Sequence, residues 1–148
     1  MSQSMKRLRL AVRMGISSDI IAAQQRVLEL GNQVGLGRVK VYNAVIAVSR
    51  MANELVTATG GGSLVFATVK RNGATGLEVT AEPNQQDWST AASALVSEIK
   101  TLMDELEWAE PKKGAPSLVG RIWPPTDGEA ESLRIDFGRT QIKRENGR

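Results

Sequence analysis

The sequence predicts an α+β fold, a two-layer α/β sandwich with about three helices on one face of a mixed, mainly antiparallel sheet. Three observations support this prediction. Residues 7–16 alternate between apolar and polar side chains, as a half-buried strand does. Asn72-Gly73 separates two apolar runs, which is the pattern of a tight β-hairpin. Other stretches repeat apolar residues at spacings of three and four, which is typical of amphipathic helices.

The elements follow from these patterns and from the residues that end them. Ser17-Ser18-Asp19 offers N-caps for the first helix, and glycines 60–62 end the second because glycine adopts the positive φ of a chain reversal. Pro124-Pro125 ends the last hairpin. The predicted helices are 20–34, 39–59 and 88–106, and the predicted strands are 7–16, 63–70, 77–82, 107–110, 117–123 and a short one at 133–137.

Length and composition fit one globular domain with an extension. The chain has 148 residues, of which 41% are hydrophobic and 24% charged. We predict a domain at 1–125, followed by a C-terminal extension at 126–148 that carries the short strand and a basic tail. The start lacks an apolar core and a cleavage site, and no apolar run approaches the length of a membrane span. The predicted location is therefore cytoplasmic, without a membrane segment.

The chemistry open to this chain is restricted. It has no cysteine and no histidine, which removes thiolate chemistry and the commonest general base and metal ligand. We predict no metal site. Asp104, Glu105 and Glu107 form an acidic run that is a weak candidate for acid–base catalysis, since consecutive exposed carboxylates usually form a solvated surface.

Three stretches carry a resemblance to a known family. They are AVIAVSRMANE at 44–54, GLEVTAE at 76–82 and TLMDELEW at 101–108. In order and spacing, roughly residues 6–123 resemble the histidine kinase-like (GHKL) ATPase domain of bacterial anti-sigma factor kinases, above all the RsbT-like switch kinases of the stressosome. The resemblance implies a histidine kinase-like ATPase fold for 1–125.

The resemblance also implies positions for catalysis, and these have changed here. In active members a helix carries a glutamate that acts as base and, four residues later, an asparagine that holds Mg²⁺. The matching positions are Arg50 and Glu54. An arginine cannot accept a proton at neutral pH, so we predict a surface ion pair between Arg50 and Glu54 instead. A register shifted by one residue gives Ser49 and Asn53, which is no working pair either.

The nucleotide-binding positions implied by the resemblance have changed as well. The family's D-x-G-x-G strand end binds adenine, whereas Glu82, Asn84 and Gln86 stand at these positions. A glycine-rich lid covers the phosphates in the family, but this chain has no glycine between Gly76 and Gly114. We therefore expect no ATP or Mg²⁺ cofactor and only a vestigial nucleotide site, made of Glu54, Glu82, Asn84 and Gln86.

The resulting prediction is a non-catalytic regulatory protein that binds other proteins in a bacterial partner-switching pathway. The resemblance implies a STAS-domain antagonist, a PP2C-type phosphatase or a sigma factor as partner, and a homodimer is a further option. The predicted partner-binding residues are Arg7, Arg9 and Arg13 of the first strand and Arg50. The arginines of that strand equally fit a solvated edge strand.

Two alternatives remain open from the sequence. One is an active ATP- and Mg²⁺-dependent serine/threonine protein kinase, in which Glu54 or Glu82 binds Mg²⁺ and glycines 60–62 cradle phosphates. The other is an unrelated α+β nucleic-acid-binding module that uses Arg7, Arg9, Arg13 and the basic tail. Nucleic acid is the less expected partner, because three Trp, one Tyr and two Phe provide few stacking platforms.

Overall fold

A computed structural model describes residues 5–57, 60–84, 88, 91–109 and 116–125. The described residues follow the predicted order of elements. The predicted strand 133–137, the extension 126–148 and Gln86 lie outside the described residues. The elements are β1 (Met5–Met14), α1 (Asp19–Gln33), α2 (Arg38–Thr57), β2 (Gly62–Arg71), β3 (Ala74–Pro83), α3 (Ala91–Ile99), β4 (Glu105–Ala109) and β5 (Ser117–Ile122).

The strands form one sheet in the order β1-β2-β3-β5-β4, and every pairing among these strands is antiparallel. The prediction of a mixed sheet is therefore wrong for the described part of the chain. A parallel pair needs a helical crossover between neighbouring strands. The chain makes that crossover from β3 through α3 to β4, but β5 lies between these two strands and pairs antiparallel with both.

The turn between β2 and β3 confirms the predicted hairpin. Arg71 pairs with Ala74 across a two-residue loop. Asn72 has φ 53° and Gly73 has φ 84°. Two consecutive positive φ angles are those of a type I′ turn, whose twist matches that of the paired strands.

The three described helices cover one face of the sheet, which we call the inner face. One apolar cluster contains residues of all three helices together with strand residues that alternate along the chain and therefore point to the same side of the sheet. Its strand members are Met14, Leu64, Phe66, Leu77, Val79, Ala81, Leu118 and Ile122, and its helix members include Val27, Val48, Leu55, Leu95 and Ile99. The strand residues between these members point to the opposite side, which we call the outer face. No described helix is both long enough and apolar enough to cross a lipid bilayer.

The predicted helix 88–106 is too long. The helix covers Ala91–Ile99, and the backbone N–H groups of Leu102 and Met103 donate to the Ile99 carbonyl in the turn that ends it. Leu106 already belongs to β4, where it pairs with Gly120. Leu102, Met103 and Leu106 contribute to the inner core from a turn and a strand, so their helical spacing did not require a helix.

The connection between β1 and α1 differs from the predicted N-cap. Ser18 makes no side-chain cap bond. Instead, Asp19 Oδ2 accepts hydrogen bonds from the backbone N–H groups of Gly15, at 2.8 Å, and Ile16, at 3.0 Å. These two bonds lower the pKa of the Asp19 carboxyl and fix the turn through which β1 leads into the helix layer.

Glycines 60–62 are explained by chain reversal and close packing. Gly61 has φ 104°, and its N–H donates to the Leu55 carbonyl at 2.8 Å, which closes the end of α2. A Cβ on Gly62 would lie 2.2 Å from the carbonyl oxygen of Glu82 on the neighbouring strand. The glycines therefore let the chain enter β2, an interior strand of the sheet, at close distance to β3.

Candidate functional site

A groove lies between α1 and α2 on the side of the helix layer that faces away from the sheet. Its volume is about 730 Å³, and we call it the α1–α2 groove. Val41 and Val45 of α2 form an apolar floor, because they also pack against the inner core. The lining residues are Ile21, Gln24, Gln25, Leu28, Asn32, Gly37, Arg38, Val41, Tyr42 and Val45.

Large apolar side chains border this groove and are exposed to solvent. The exposed fraction is 59% for Ile21, 47% for Leu28 and 66% for Tyr42. Single exposed apolar residues are common on protein surfaces, but neighbouring ones around a concavity mark a binding surface. The groove is therefore lined by exposed apolar side chains together with several amide side chains.

The two helices that form the groove are tied together. Gln24 Nε2 of α1 donates to Ser49 Oγ of α2 at 2.8 Å, and Ser49 Oγ donates to the Val45 carbonyl at 2.7 Å. A Cβ on Gly31 would lie 3.1 Å from Val41 Cγ2, so a small residue is needed where the helices approach. The groove is thus formed by a packed helix pair and is already present in the free chain.

The α1–α2 groove is not among the predicted sites, although the sequence contains a signal for it. Two apolar pairs, Ile20-Ile21 and Val27-Leu28, stand seven residues apart in α1. The structure turns Ile20 and Val27 towards the core and leaves Ile21 and Leu28 in the groove. Such doubled apolar positions make the apolar stripe wider than one packed face requires.

Arg50 has a different partner from the one predicted. Its Nη2 lies 2.5 Å from Glu98 Oε1 of α3, and both side chains are about half exposed. The predicted pair with Glu54 is therefore wrong, because α3 packs beside α2 and brings Glu98 to the guanidinium. Glu54 lies one turn further along α2 and is partly buried.

Of the residues predicted for the nucleotide site, Glu54 lies near the C-terminal end of α2, and Glu82 and Asn84 lie beside the glycine turn that follows it. Glu82 is a partly buried member of β3 and pairs with Ser63, and the backbone N–H of Asn84 donates to the Gly61 carbonyl at 3.0 Å. Gly61 thus uses its N–H and its carbonyl in bonds within the chain. Among the described residues, no group of three or more acidic side chains is placed to hold a metal ion.

The arginines predicted to bind a partner do not form one surface. Arg9 and Arg13 are exposed and pair with Ala67 and Ser63, which places them on the outer face of the edge strand. Arg7 lies at a register shift in β1, and only its backbone is described. Arg50 belongs to the helix layer on the other side of the sheet.

The outer face carries a cluster of four charged residues, Glu78, Glu105, Glu107 and Arg121, which we call the outer-face charge cluster. Arg121 Nε lies 2.9 Å from Glu78 Oε2, and its Nη1 lies 2.5 Å from Glu107 Oε2 and 3.3 Å from Glu105 Oε1. Burial lowers the pKa of Arg121, but the hydrogen bonds to Glu107 and Glu78 outweigh burial, so the pKa is raised. The guanidinium is a fixed positive charge on β5.

Trp123 and Arg71 extend this cluster. Trp123 Nε1 donates to Glu105 Oε2 at 3.1 Å, Arg71 Nη1 lies 2.5 Å from the same oxygen, and the Arg71 guanidinium stacks 4.9 Å from the Trp123 ring centroid. Burial raises the pKa of Glu105, but the hydrogen bonds from Arg71 and Trp123 outweigh it and the pKa is lowered. This carboxyl is held ionised and suits a structural role better than that of a proton donor.

Asp104, the third member of the acidic run, is also engaged in structural contacts. Its Oδ2 accepts the backbone N–H of Trp123 at 2.7 Å and lies 3.1 Å from Lys40 Nζ. Lys40 Nζ donates to the Trp123 carbonyl at 2.8 Å as well. The run therefore joins the start of α2 to the end of β5.

Comparison with known proteins gives no match to a protein-family model and no match to a curated protein. The α+β architecture, with helices on one face of an antiparallel sheet, is shown by the described elements and their pairing. The narrower resemblance to the switch kinases rests on the three sequence stretches and stays a prediction.

Proposed function

We propose that this protein is a non-catalytic regulatory protein that binds a partner protein through the α1–α2 groove. The observation that carries the proposal is the exposure of Ile21, Leu28 and Tyr42 side by side around an apolar floor. Keeping such a surface in water is unfavourable, and covering it with a partner removes that apolar area from solvent.

The dimensions of the groove suit an amphipathic helix of the partner. The lining residues of α1 run from Ile21 to Asn32, about 16 Å along the helix axis. A guest helix of about three turns has this length and presents apolar side chains at spacings of three, four and seven. Gln25 and Asn32 also line the groove and are exposed, so their amides can bond to the polar flanks of the guest helix.

The resemblance to the switch kinases supplies the biological setting of the proposal. It implies a cytoplasmic location and a partner-switching pathway of the anti-sigma or stressosome type. The partner is then a STAS-domain antagonist, a PP2C-type phosphatase or a sigma factor. The absence of catalysis is supported by the Arg50–Glu98 ion pair, which engages the residue that stands at the position of the family's base.

Binding measurements with groove variants test this proposal. A partner captured by the full chain is identified by mass spectrometry, purified and titrated against Leu28→Glu. A buried carboxylate on the groove wall lowers the affinity by at least about tenfold. The matched control is Ile16→Glu, because Ile16 is an exposed apolar residue that does not line the groove. Equal affinities of the Leu28→Glu variant and the unmodified chain would refute the groove as the binding surface.

Calorimetric titration with ATP and Mg²⁺ separates this function from an active kinase. The expected result is no binding up to about 1 mM ATP. A dissociation constant below about a millimolar would favour the kinase, with Glu54 or Glu82 at the Mg²⁺ ion.

Titration with a random DNA duplex at low salt tests the nucleic-acid alternative, for which the exposed Arg9 and Arg13 are the candidates. We expect no binding. Salt-sensitive binding that Arg9→Ala and Arg13→Ala weaken would support a nucleic-acid-binding module instead.

A further inference from the structure

The centre of the outer face is buried, although the described helices lie on the inner face. The exposed fraction is 4% for Val65, 1% for Ala67, 0% for Val69 and 7% for Val119. None of these four belongs to the apolar cluster that the helices cover. A sheet whose second face met solvent would expose its central valines, so this face must be covered.

The charged residues of this face lead to the same conclusion. The Glu78 side chain is only 3% exposed and pairs with Arg121, which is 16% exposed. A carboxylate at the centre of an open sheet face would be solvated. The exposed residues are at the edges of the sheet, such as Arg13 on β1 and Glu107 on β4. The covered area therefore spans β2, β3 and β5.

The path of the chain indicates what covers this area. A Cβ on Gly76 would lie 2.5 Å from Trp123 Cε3, so the indole packs on β3. Gly76 shares its face with Glu78, because strand residues two apart point the same way. The chain thus leaves β5 with Trp123 already on the outer face, and Pro124-Pro125 then leads into residues 126–148.

The C-terminal segment 126–148 has the length and the pattern for this role. Leu133, Ile135 and Phe137 alternate with Arg134 and Asp136, which gives one apolar and one charged side. Residues 126–132 alone reach up to about 23 Å when extended. Crossing three strands requires about 10 Å, since neighbouring strands lie about 4.8 Å apart.

We propose that residues 126–148 dock on the outer face of the sheet and that Leu133, Ile135 and Phe137 cover Val65, Ala67 and Val119. The segment is then a third layer of the fold, which closes the sheet on its second side. A second copy of the chain on this face is the alternative outcome that the thiol and crosslinking experiments distinguish.

A thiol probe tests the docking in the full chain, which has no native cysteine. Ala67→Cys places a single thiol at the centre of the outer face, and its reaction with a soluble disulfide reagent is timed. The thiol is expected to be protected, and Ile135→Asp on this background is expected to speed the reaction by at least about tenfold. The control is Ala52→Cys in the inner core, whose thiol stays protected in both backgrounds because Ala52 is fully buried by the helices.

Two outcomes would overturn the proposal. If the thiol of Ala67→Cys reacts equally slowly with and without Ile135→Asp, the segment does not cover it. If dilution alone releases the thiol, the cover is a second copy, because protection by a segment of the same chain is independent of protein concentration.

A crosslinking measurement leaves the segment unaltered. A photoreactive amino acid replaces Val119 in the full chain, and the crosslinked peptides are identified by mass spectrometry. The expected crosslink joins position 119 to a peptide within 126–148 of the same chain. Crosslinks to β3 and β4 are expected in any case, because these strands flank position 119. The absence of a crosslink to 126–148, or a crosslink to a second copy, would overturn the proposal, whatever Ile135→Asp does to folding.

Discussion

The centres of both faces of the sheet are buried, but different interactions stabilise them. The inner face is apolar, and Phe66, Leu77 and Val79 pack in one core with residues of the helices. The outer face combines apolar residues of β2 and β5 with Glu78 and Arg121, which form a nearly buried ion pair. Close packing of apolar side chains stabilises the inner face. The outer face is stable only when each buried charge is paired with a charge of opposite sign.

This difference explains why the central strands carry apolar residues on both sides. β2 is apolar on both sides, since Leu64 and Phe66 face the helices while Val65 and Ala67 face away. A strand that is apolar on both sides belongs to the interior of a three-layer structure. The helices account for one side, and the C-terminal segment is our proposal for the other.

We expect the greatest loss of stability from a substitution on the inner face. Phe66→Ala removes a fully buried ring and should lower the free energy of unfolding by about 3–5 kcal/mol, because the cavity cannot be refilled. Urea denaturation measures this change. The matched variant on the outer face, Val65→Ala, should cost about 2 kcal/mol if that face is covered. A cost near zero for Val65→Ala would show that the outer face is open in solution.

The second effect concerns the buried pair on the outer face. Arg121→Met leaves the Glu78 carboxylate buried without its main partner and should destabilise the protein by about 3 kcal/mol. Adding Glu78→Leu should recover most of this loss in urea denaturation. The control is Arg26→Met, which removes an exposed pair with Glu29 and should change stability by less than about 0.5 kcal/mol. Equal effects of the two arginine variants would contradict a covered outer face.

The third effect is a dependence on pH at the edge of the same face. The pKa of Glu105 in the folded protein lies below its ordinary value of 4.5. The stability that this shift contributes is complete above the ordinary pKa and is lost as the pH falls through the lower folded pKa. Unfolding measured from about pH 5 to pH 3 should therefore depend less on pH in Glu105→Gln.

Arg71→Met serves as the companion variant for this measurement, because it removes the first of the favourable bonds to Glu105. It should reproduce part of the loss of pH dependence. An unchanged pH profile in both variants would show that Glu105 does not contribute to acid unfolding.

The smallest effect is expected in the helix layer. Arg50→Ala breaks the ion pair with Glu98. The side chain of Arg50 is 49% exposed and that of Glu98 is 48% exposed. Exposed pairs of this kind contribute about 0.5 kcal/mol or less, because solvent and salt screen them. Urea denaturation at low and high salt measures the loss, which should shrink as salt rises. A loss of more than about 1 kcal/mol would show that Arg50 stabilises the fold by more than an exposed ion pair does.

Much of the fold could be predicted because local signals were unambiguous. Asn72-Gly73 permits the two positive φ angles of a tight hairpin, and the alternation in β1 is that of a half-buried strand. The end of α3 could not be predicted, because Leu102 and Leu106 are apolar for the same reason in a turn or a strand as in a helix. Packing against a common core produced that pattern.

The candidate site was harder to predict than the fold. Arg50 and Glu54 have the spacing of a helical ion pair, but Glu98 of α3 takes the guanidinium. The sequence pattern predicts Ile21 and Leu28 as core residues. The packing of α1 on α2 instead leaves both side chains at the groove. Both results depend on how helices distant in sequence are placed together.

The order of helices and strands, the hairpin turn and the absence of cysteine and histidine chemistry could be predicted from the amino-acid sequence. These depend on the conformational preferences of residues within a few positions of each other and on composition. The strand order of the sheet, the α1–α2 groove and the pairing of Arg121 with Glu78 follow from tertiary packing and could not be predicted from local patterns. These two residues are 43 positions apart and meet because β3 and β5 pair in one register, which depends on the packing of the whole sheet.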